Sequence, residues 1–380
     1  MFRGKMEAFK TMTLLLTLMF LLTGGLIFVS PAKAHYPDSD SDYSYWKSVG
    51  RQAAAKAIRM LREEAPWFGT KDLIALSNAG YAEIDGGVTM GALDGLSETL
   101  GVSRGNNSLV EIHSAADKDL WFAIYQKRSG YCVYLQVDPD APCGKFHRGW
   151  GNRESLFSIA VMEQINATHL FDNAEEYAEK FSNSIFGGNE FRIVTIANAV
   201  AEEAPGYAVR SFEFHDHYCP GVTSGILMAQ YVKTFYPLDT GGSYFVQGVS
   251  PACKEDALLV MLNTTPGKKG YGVTYPTSED IANWPTWAQS ARNIIYWKET
   301  SSSSWVALVL EKQSGTTGCP DYGNSVLNKL CSDLWYLERL DQPEEFITVL
   351  KAITLPDGTV PKDFARPGVD AILLLDELVE

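Results

Sequence analysis

Apolar positions fall into distinct patterns along the chain. Over residues 57–66 and 196–205 they recur at helical spacing and stop at Pro66 and Pro205, whose ring and missing N–H end a helix. Over 120–126 and 131–137 they form short strand-like runs on either side of Arg128-Ser129-Gly130, and over 294–298 and 305–312 on either side of 301–304. Each pair predicts a hairpin. Residues 222–233 predict a helix, and the tail over 369–379 predicts an acidic amphipathic one. Helices mixed with antiparallel hairpins predict an α+β layer fold.

The patterns recur in order. Glu63-Glu64-Ala65-Pro66 reads like Glu202-Glu203-Ala204-Pro205, and Gly87-Val88-Thr89 with Gly91 reads like Gly221-Val222-Thr223 with Gly225. Ala116-Asp117-Lys118-Asp119 lines up with Cys253-Lys254-Glu255-Asp256, and 170–181 with 340–350. Ordered self-similarity of this kind predicts a tandem duplication, with one copy over 47–185 and the second over 186–380.

Composition adds bounds. With 46% hydrophobic and 21% charged residues the chain has ample material for a core. A net charge of -14 without a Lys/Arg cluster argues against nucleic acid as a partner. Residues 1–34 read as a signal peptide, with Arg3, Lys5 and Lys10 ahead of an apolar stretch and Ala32-Lys33-Ala34 as the cleavage motif. The mature protein is then secreted or extracytoplasmic, beginning at His35 and an acidic leader over 35–46, and it meets the membrane only if the leader stays uncut.

The second copy carries the candidate chemistry. Before the glycine turn it reads Phe214-His215-Asp216-His217-Tyr218-Cys219-Pro220-Gly221. As a strand, this run would turn His215, His217 and Cys219 to one face and Asp216 and Tyr218 to the other. Two imidazoles and a thiol are a partial shell for zinc or another borderline-soft metal. Cys219 would stand at the start of the following helix, where the macrodipole favours a thiolate. The matching positions of the first copy, Tyr81, Glu83, Asp85 and Ala116, hold no soft ligand.

The run His215-x-His217-x-Cys219-Pro220-Gly221, with Gly225, resembles the signature of the FmdE family, named after formylmethanofuran dehydrogenase. Cys253 before Asp256-Ala257 continues the likeness, and so does 263–268, where Thr264 stands in the place of the family's second Cys. The resemblance covers about residues 190–300 and implies an α+β domain with a Cys/His metal site, typically zinc. It brings Cys253 to the site as a further sulfur and Asp256 as a carboxylate behind a ligand. A disulfide between Cys219 and Cys253 is the rival arrangement.

The other cysteines form two local pairs, Cys132 with Cys143 and Cys319 with Cys331, which read as structural disulfides. His113 stands just before the segment matched to Cys253, and Trp284, Trp287 and Trp297 are more readily core rings than a sugar platform. No paired carboxylates, Ser-His-Asp set or phosphate loop defines a reaction, so whether the chain is an enzyme stays open. A small molecule or a protein is the expected ligand and a homodimer is compatible. A non-catalytic ligand-binding or surface protein with structural disulfides is the alternative to a metal protein. Export predicts that the mature chain starts at His35. Intact-mass measurement of the exported protein should show the loss of 1–34, and a mass retaining Met1 would mean a tether instead.

Overall fold

The computed structural model describes residues 39–66, 69–139 and 156–379. The leader and its cleavage motif lie outside them. Helix α1 (Ser39–Glu64) opens the fold, followed by strand β1 (Leu73–Ser77), the small hairpin β2 (Glu83–Ile84) and β3 (Gly87–Val88), and α2 (Gly91–Leu100). Strands β4 (Leu109–Glu111), β5 (Trp121–Gln126), β6 (Tyr131–Val137) and β7 (Phe157–Gln164) complete a sheet of order β4-β1-β5-β6-β7. Next come α3 (Ala167–Asp172), α4 (Ala174–Ser182), α5 (Glu190–Ala201), α6 (Gly206–His215) and α7 (Pro220–Phe235).

The second sheet follows. It comprises β8 (Ser243–Gly248), β9 (Tyr271–Val273), β10 (Asn293–Lys298), β11 (Val306–Lys312) and β12 (Ile347–Thr354), in the order β9-β8-β10-β11-β12. Between and after its strands lie α8 (Lys254–Leu262), α9 (Ser278–Asn283), α10 (Ser325–Leu337), α11 (Pro361–Phe364) and α12 (Ala371–Asp376). The mixed α+β class and both predicted hairpins are present. No helix among the described residues is long and apolar enough to cross a membrane.

Five layers result from strands that are apolar on both faces. In β1 and β5, Leu73, Ala75, Phe122 and Ile124 face α1 and α2, while Ile74, Leu76, Trp121 and Ala123 face a central helical layer. That layer, built on α5, α6, α7, α8 and α10, also receives Val246, Ile295, Leu308 and Leu310 of the second sheet. The opposite face of the second sheet, with Phe245, Ile294, Tyr296 and Val309, is covered by Phe364 of α11 and Ile372 and Leu375 of α12. One buried cluster thus runs through both halves rather than parting at 185/186.

The two sheets share one plan. In each, the first strand pairs in parallel with the second and antiparallel with the third, and the rest continue as an antiparallel meander. The motifs matched in the sequence do not fall on equivalent elements of that plan. Gly87-Val88 is a strand whereas Gly221-Val222 is the first turn of α7, and 170–181 is helical whereas 347–350 is in β12. Short motifs record turns and caps, which both halves use in different places. The acidic leader expected over 35–46 is also revised, since α1 already runs from Ser39 and Trp46 is buried in the core.

Cys319 and Cys331 form the expected disulfide, closing a short loop onto α10, a constraint of about 2–3 kcal/mol for a loop of this length. Cys132 is buried in β6, and its expected partner Cys143 lies outside the described residues. The three tryptophans are structural: Trp284, Trp287 and Trp297 donate to Asp370, Asp376 and the Pro237 carbonyl.

The helical layer on the first sheet rests on a close crossing. A Cβ on Gly50 of α1 would stand 2.1 Å from the Ala92 carbonyl oxygen of α2. Gly50→Ala should therefore destabilise the protein by about 1–3 kcal/mol despite alanine's better helix propensity. Denaturant unfolding measures this, and an unchanged midpoint would show that the helices part freely.

Candidate metal centre

Three consecutive elements build the site. Helix α6 begins after Pro205 and buries Ala208, Val209 and Phe212, ending at His215. Asp216 then takes a left-handed conformation, φ 71°, which an aspartate tolerates better than most residues. His217 and Tyr218 follow, and Cys219 is the N-cap of α7, with Pro220 in the first turn. The expected strand over 214–220 is therefore a helix end, a turn and a cap. Its alternation is broken at Asp216, and the ligand candidates converge by a tight reversal instead.

Cys253 arrives from the second sheet as the N-cap of α8. Two glycines let α8 come close enough. A Cβ on Gly221 would lie 2.8 Å from the Cβ and 3.1 Å from the Sγ of Cys253. One on Gly225 would lie 2.1 Å from the Lys254 carbonyl oxygen. One ligand atom from each of His215, His217, Cys219 and Cys253 then lies within 4.8 Å of the others. Both cysteines are free thiols, so the rival disulfide is not formed.

Carboxylates fix the imidazoles. His215 donates through Nδ1 to Asp256 Oδ2 at 2.6 Å, and His217 through Nδ1 to Asp216 Oδ1 at 2.6 Å. Each Nε2 is left as the available donor atom, and that of His215 is buried with no hydrogen-bond partner. Arg192 of α5 in turn grips Asp216 Oδ2 through Nε and Nη2, at 3.1 and 2.7 Å. Asp256 was anticipated from the sequence. Asp216 and Arg192 were not, because a strand would have turned Asp216 away; the His-Asp-His spacing itself was the available signal.

Charge on the sulfurs is distributed differently from the sequence expectation. The neighbouring Cys219 thiol and the imidazoles of His215 and His217 hold the Cys253 thiol far below its ordinary value. Cys219, giving its proton toward Cys253 and largely buried, is pushed up, although the Val222 N–H at the start of α7 pulls the other way. Of the two sulfurs, Cys253 is the one drawn toward the thiolate form. Burial alone would lower His215, but Asp256 and Cys253 outweigh it and raise the imidazole to about 9. Behind Cys219, the Tyr218 hydroxyl donates to the Asp333 carbonyl, and burial pushes the Asp333 carboxyl well up toward its protonated form.

Two nitrogens and two sulfurs at this spacing are compatible with binding one metal ion. The buried, unpartnered His215 Nε2 fits such an ion, since an orphaned polar atom is costly otherwise. Residues 214–302 match the family model described as FmdE, Molybdenum formylmethanofuran dehydrogenase operon. The chain carries an FmdE domain. No curated protein matches the chain. The FmdE segment contains all four clustered residues together with Asp216 and Asp256, and it spans α7, β8, α8, β9, α9 and β10. Arg192 lies outside it.

The remaining candidates take other roles. Thr264 sits past the far end of α8, the helix that Cys253 opens. Glu83 and Asp85 flank an exposed hairpin turn and gather no cation ligands among the described residues. His113 reaches the neighbourhood of the site, since its Nδ1 pairs with the Phe214 carbonyl at 3.2 Å and its ring stacks on Phe214.

These protonation states give opposite pH trends. In the metal-free protein, His215 contributes stability that is complete below its unfolded value near 6.5 and is lost as pH rises through about 9. Metal uptake must expel protons from His215 and Cys219, so affinity should rise over the same window. Thermal melts of metal-free and zinc-loaded protein should diverge as pH increases. Parallel curves would refute the assignment.

Proposed function

We propose that this is an extracytoplasmic metal-binding protein of FmdE type, holding zinc through His215, His217, Cys219 and Cys253. The convergence of four donor atoms within 4.8 Å carries the reading, supported by carboxylates that aim both imidazoles. The N2S2 set favours zinc among common divalent ions. Four protein donors complete a tetrahedron, which suits a firmly held ion better than an open Lewis acid. The basic, apolar and small-residue segments of 1–34 support export.

A second reading rests on one observation. Cys253 is only half-buried and its thiol is strongly acidified, so the metal-free protein presents a nucleophilic thiolate.

Purified protein should contain about one zinc per chain, as a single four-donor site requires. Cys219→Ala and Cys253→Ala should abolish retention, and Asp256→Asn should weaken it by about 10–100-fold. Metal analysis with competitive chelation reads both. Full retention in Cys219→Ala would sink the assignment, and rapid single-site alkylation at Cys253 in metal-free protein would support the thiolate reading.

A further inference from the structure

A cavity of about 470 Å³ opens beside the metal centre, and residues outside the FmdE segment build nearly all of it. Asn78 follows β1 and Ile112 and His113 follow β4, so the cavity lies at the carboxyl ends of the two parallel strands of the first sheet. Crevices at such ends are common ligand sites in mixed sheets. Its far wall is formed by Asn189 and Arg192 at the start of α5, and by Asp216. The volume suits a small organic molecule.

We propose that this cavity binds a small carboxylate, and that its occupancy is coupled to the metal centre through Asp216. The proposal rests on the metal assignment above for its second clause only.

The charges choose the ligand. Two cations line the cavity. Lys118 is exposed and has no ion-pair partner among the described residues. Arg192 uses Nε and Nη2 on a single oxygen, Asp216 Oδ2, leaving Nη1 for a guest. Both lining carboxylates are already engaged: Asp119 accepts from the Gln136 amide at 2.8 Å, and Asp216 accepts from Arg192 and His217. A singly charged planar carboxylate pairs well with a lysine and with the free edge of a guanidinium. A doubly charged phosphate would meet the two standing carboxylates at closer cost, and a cation would meet Lys118. Ile112 and Trp121 give the guest an apolar wall.

Coupling follows from shared bonds. Arg192 divides its charge between a guest and Asp216, and Asp216 divides its charge between Arg192 and His217. A guest anion on Arg192 leaves Asp216 freer to polarise the His217 imidazole, which strengthens its donor nitrogen. By linkage, metal must change guest affinity by the same factor that the guest changes metal affinity.

Calorimetric titration of full-length protein with benzoate and lactate, in zinc-loaded and metal-free forms, tests this. Both probes, or benzoate alone, should bind with Kd below about 10 mM, whereas putrescine and glucose should not. Lys118→Glu should weaken binding about tenfold while zinc content stays unchanged. Affinity should differ between the two metal states by at least about threefold. Binding that is absent, unaffected by Lys118→Glu, or weaker than that of inorganic phosphate or putrescine would overturn the carboxylate site. Equal affinity in both metal states would overturn the coupling. Carboxylate binding to a protein that takes up no zinc would remove the metal reading and the coupling together, and leave the cavity's assignment intact.

Discussion

The centre depends on how closely two helix N-termini approach. Cys219 caps α7 and Cys253 caps α8, and their sulfurs meet only because position 221 carries no side chain. Gly225, one turn further, lets the backbone of α7 rest against the Lys254 carbonyl. A methyl group at either position would collide with backbone or with a sulfur-bearing side chain, neither of which can swing aside cheaply. Both cysteines therefore sit where unsatisfied N–H groups and the positive ends of two dipoles gather, a field suited to thiolates.

Negative charge is balanced in pairs around that point. Asp256 stands behind His215 and Asp216 behind His217, and Arg192 tempers the second carboxylate. The two histidines are consequently unlike. One is backed by a half-exposed carboxylate alone, and the other by a carboxylate tied to a guanidinium. A second ion-pair knot holds α6 from the other side, where buried Glu213 receives Arg104, Arg210 and the Glu111 N–H. These contacts anchor the last turn of α6, and so His215, to the first sheet.

Much of the site was legible in the sequence because its chemistry is local. His215, His217, Cys219, Pro220 and Gly221 lie within one turn and cap, and Cys253 with Asp256 follow the pattern of a resembling family. The hairpins β5–β6 and β10–β11 were legible from short apolar runs around turn residues. What was hidden was nonlocal or rested on one backbone angle. Alternation over 214–220 imitates a strand, and only the left-handed Asp216 shows why it is a helix end. The exchange of roles between the sulfurs was hidden as well, because it depends on which thiol the imidazoles reach. Matching motifs over the two halves reported shared punctuation, whereas the shared plan of the sheets is carried by strand pairing that no short motif records.

The first-half positions matched to the site residues hold no soft ligand, yet that half is not inert packing. Just past its β4 stands His113, whose backbone N–H bonds to the Glu213 carbonyl and whose ring stacks on Phe214, the residue before His215. Tyr81 meets the same ring in a T-shaped contact, with centroids 4.7 Å apart. The last turn of α6 is thus clamped by residues outside the FmdE segment, and Arg192, which sets the charge on Asp216, also lies outside it. An isolated 214–302 segment would keep all four donor atoms and lose the supports that aim two of them. The centre is therefore a property of both sheets and the helices packed between them, and the matched segment is the part of it that a local pattern can describe.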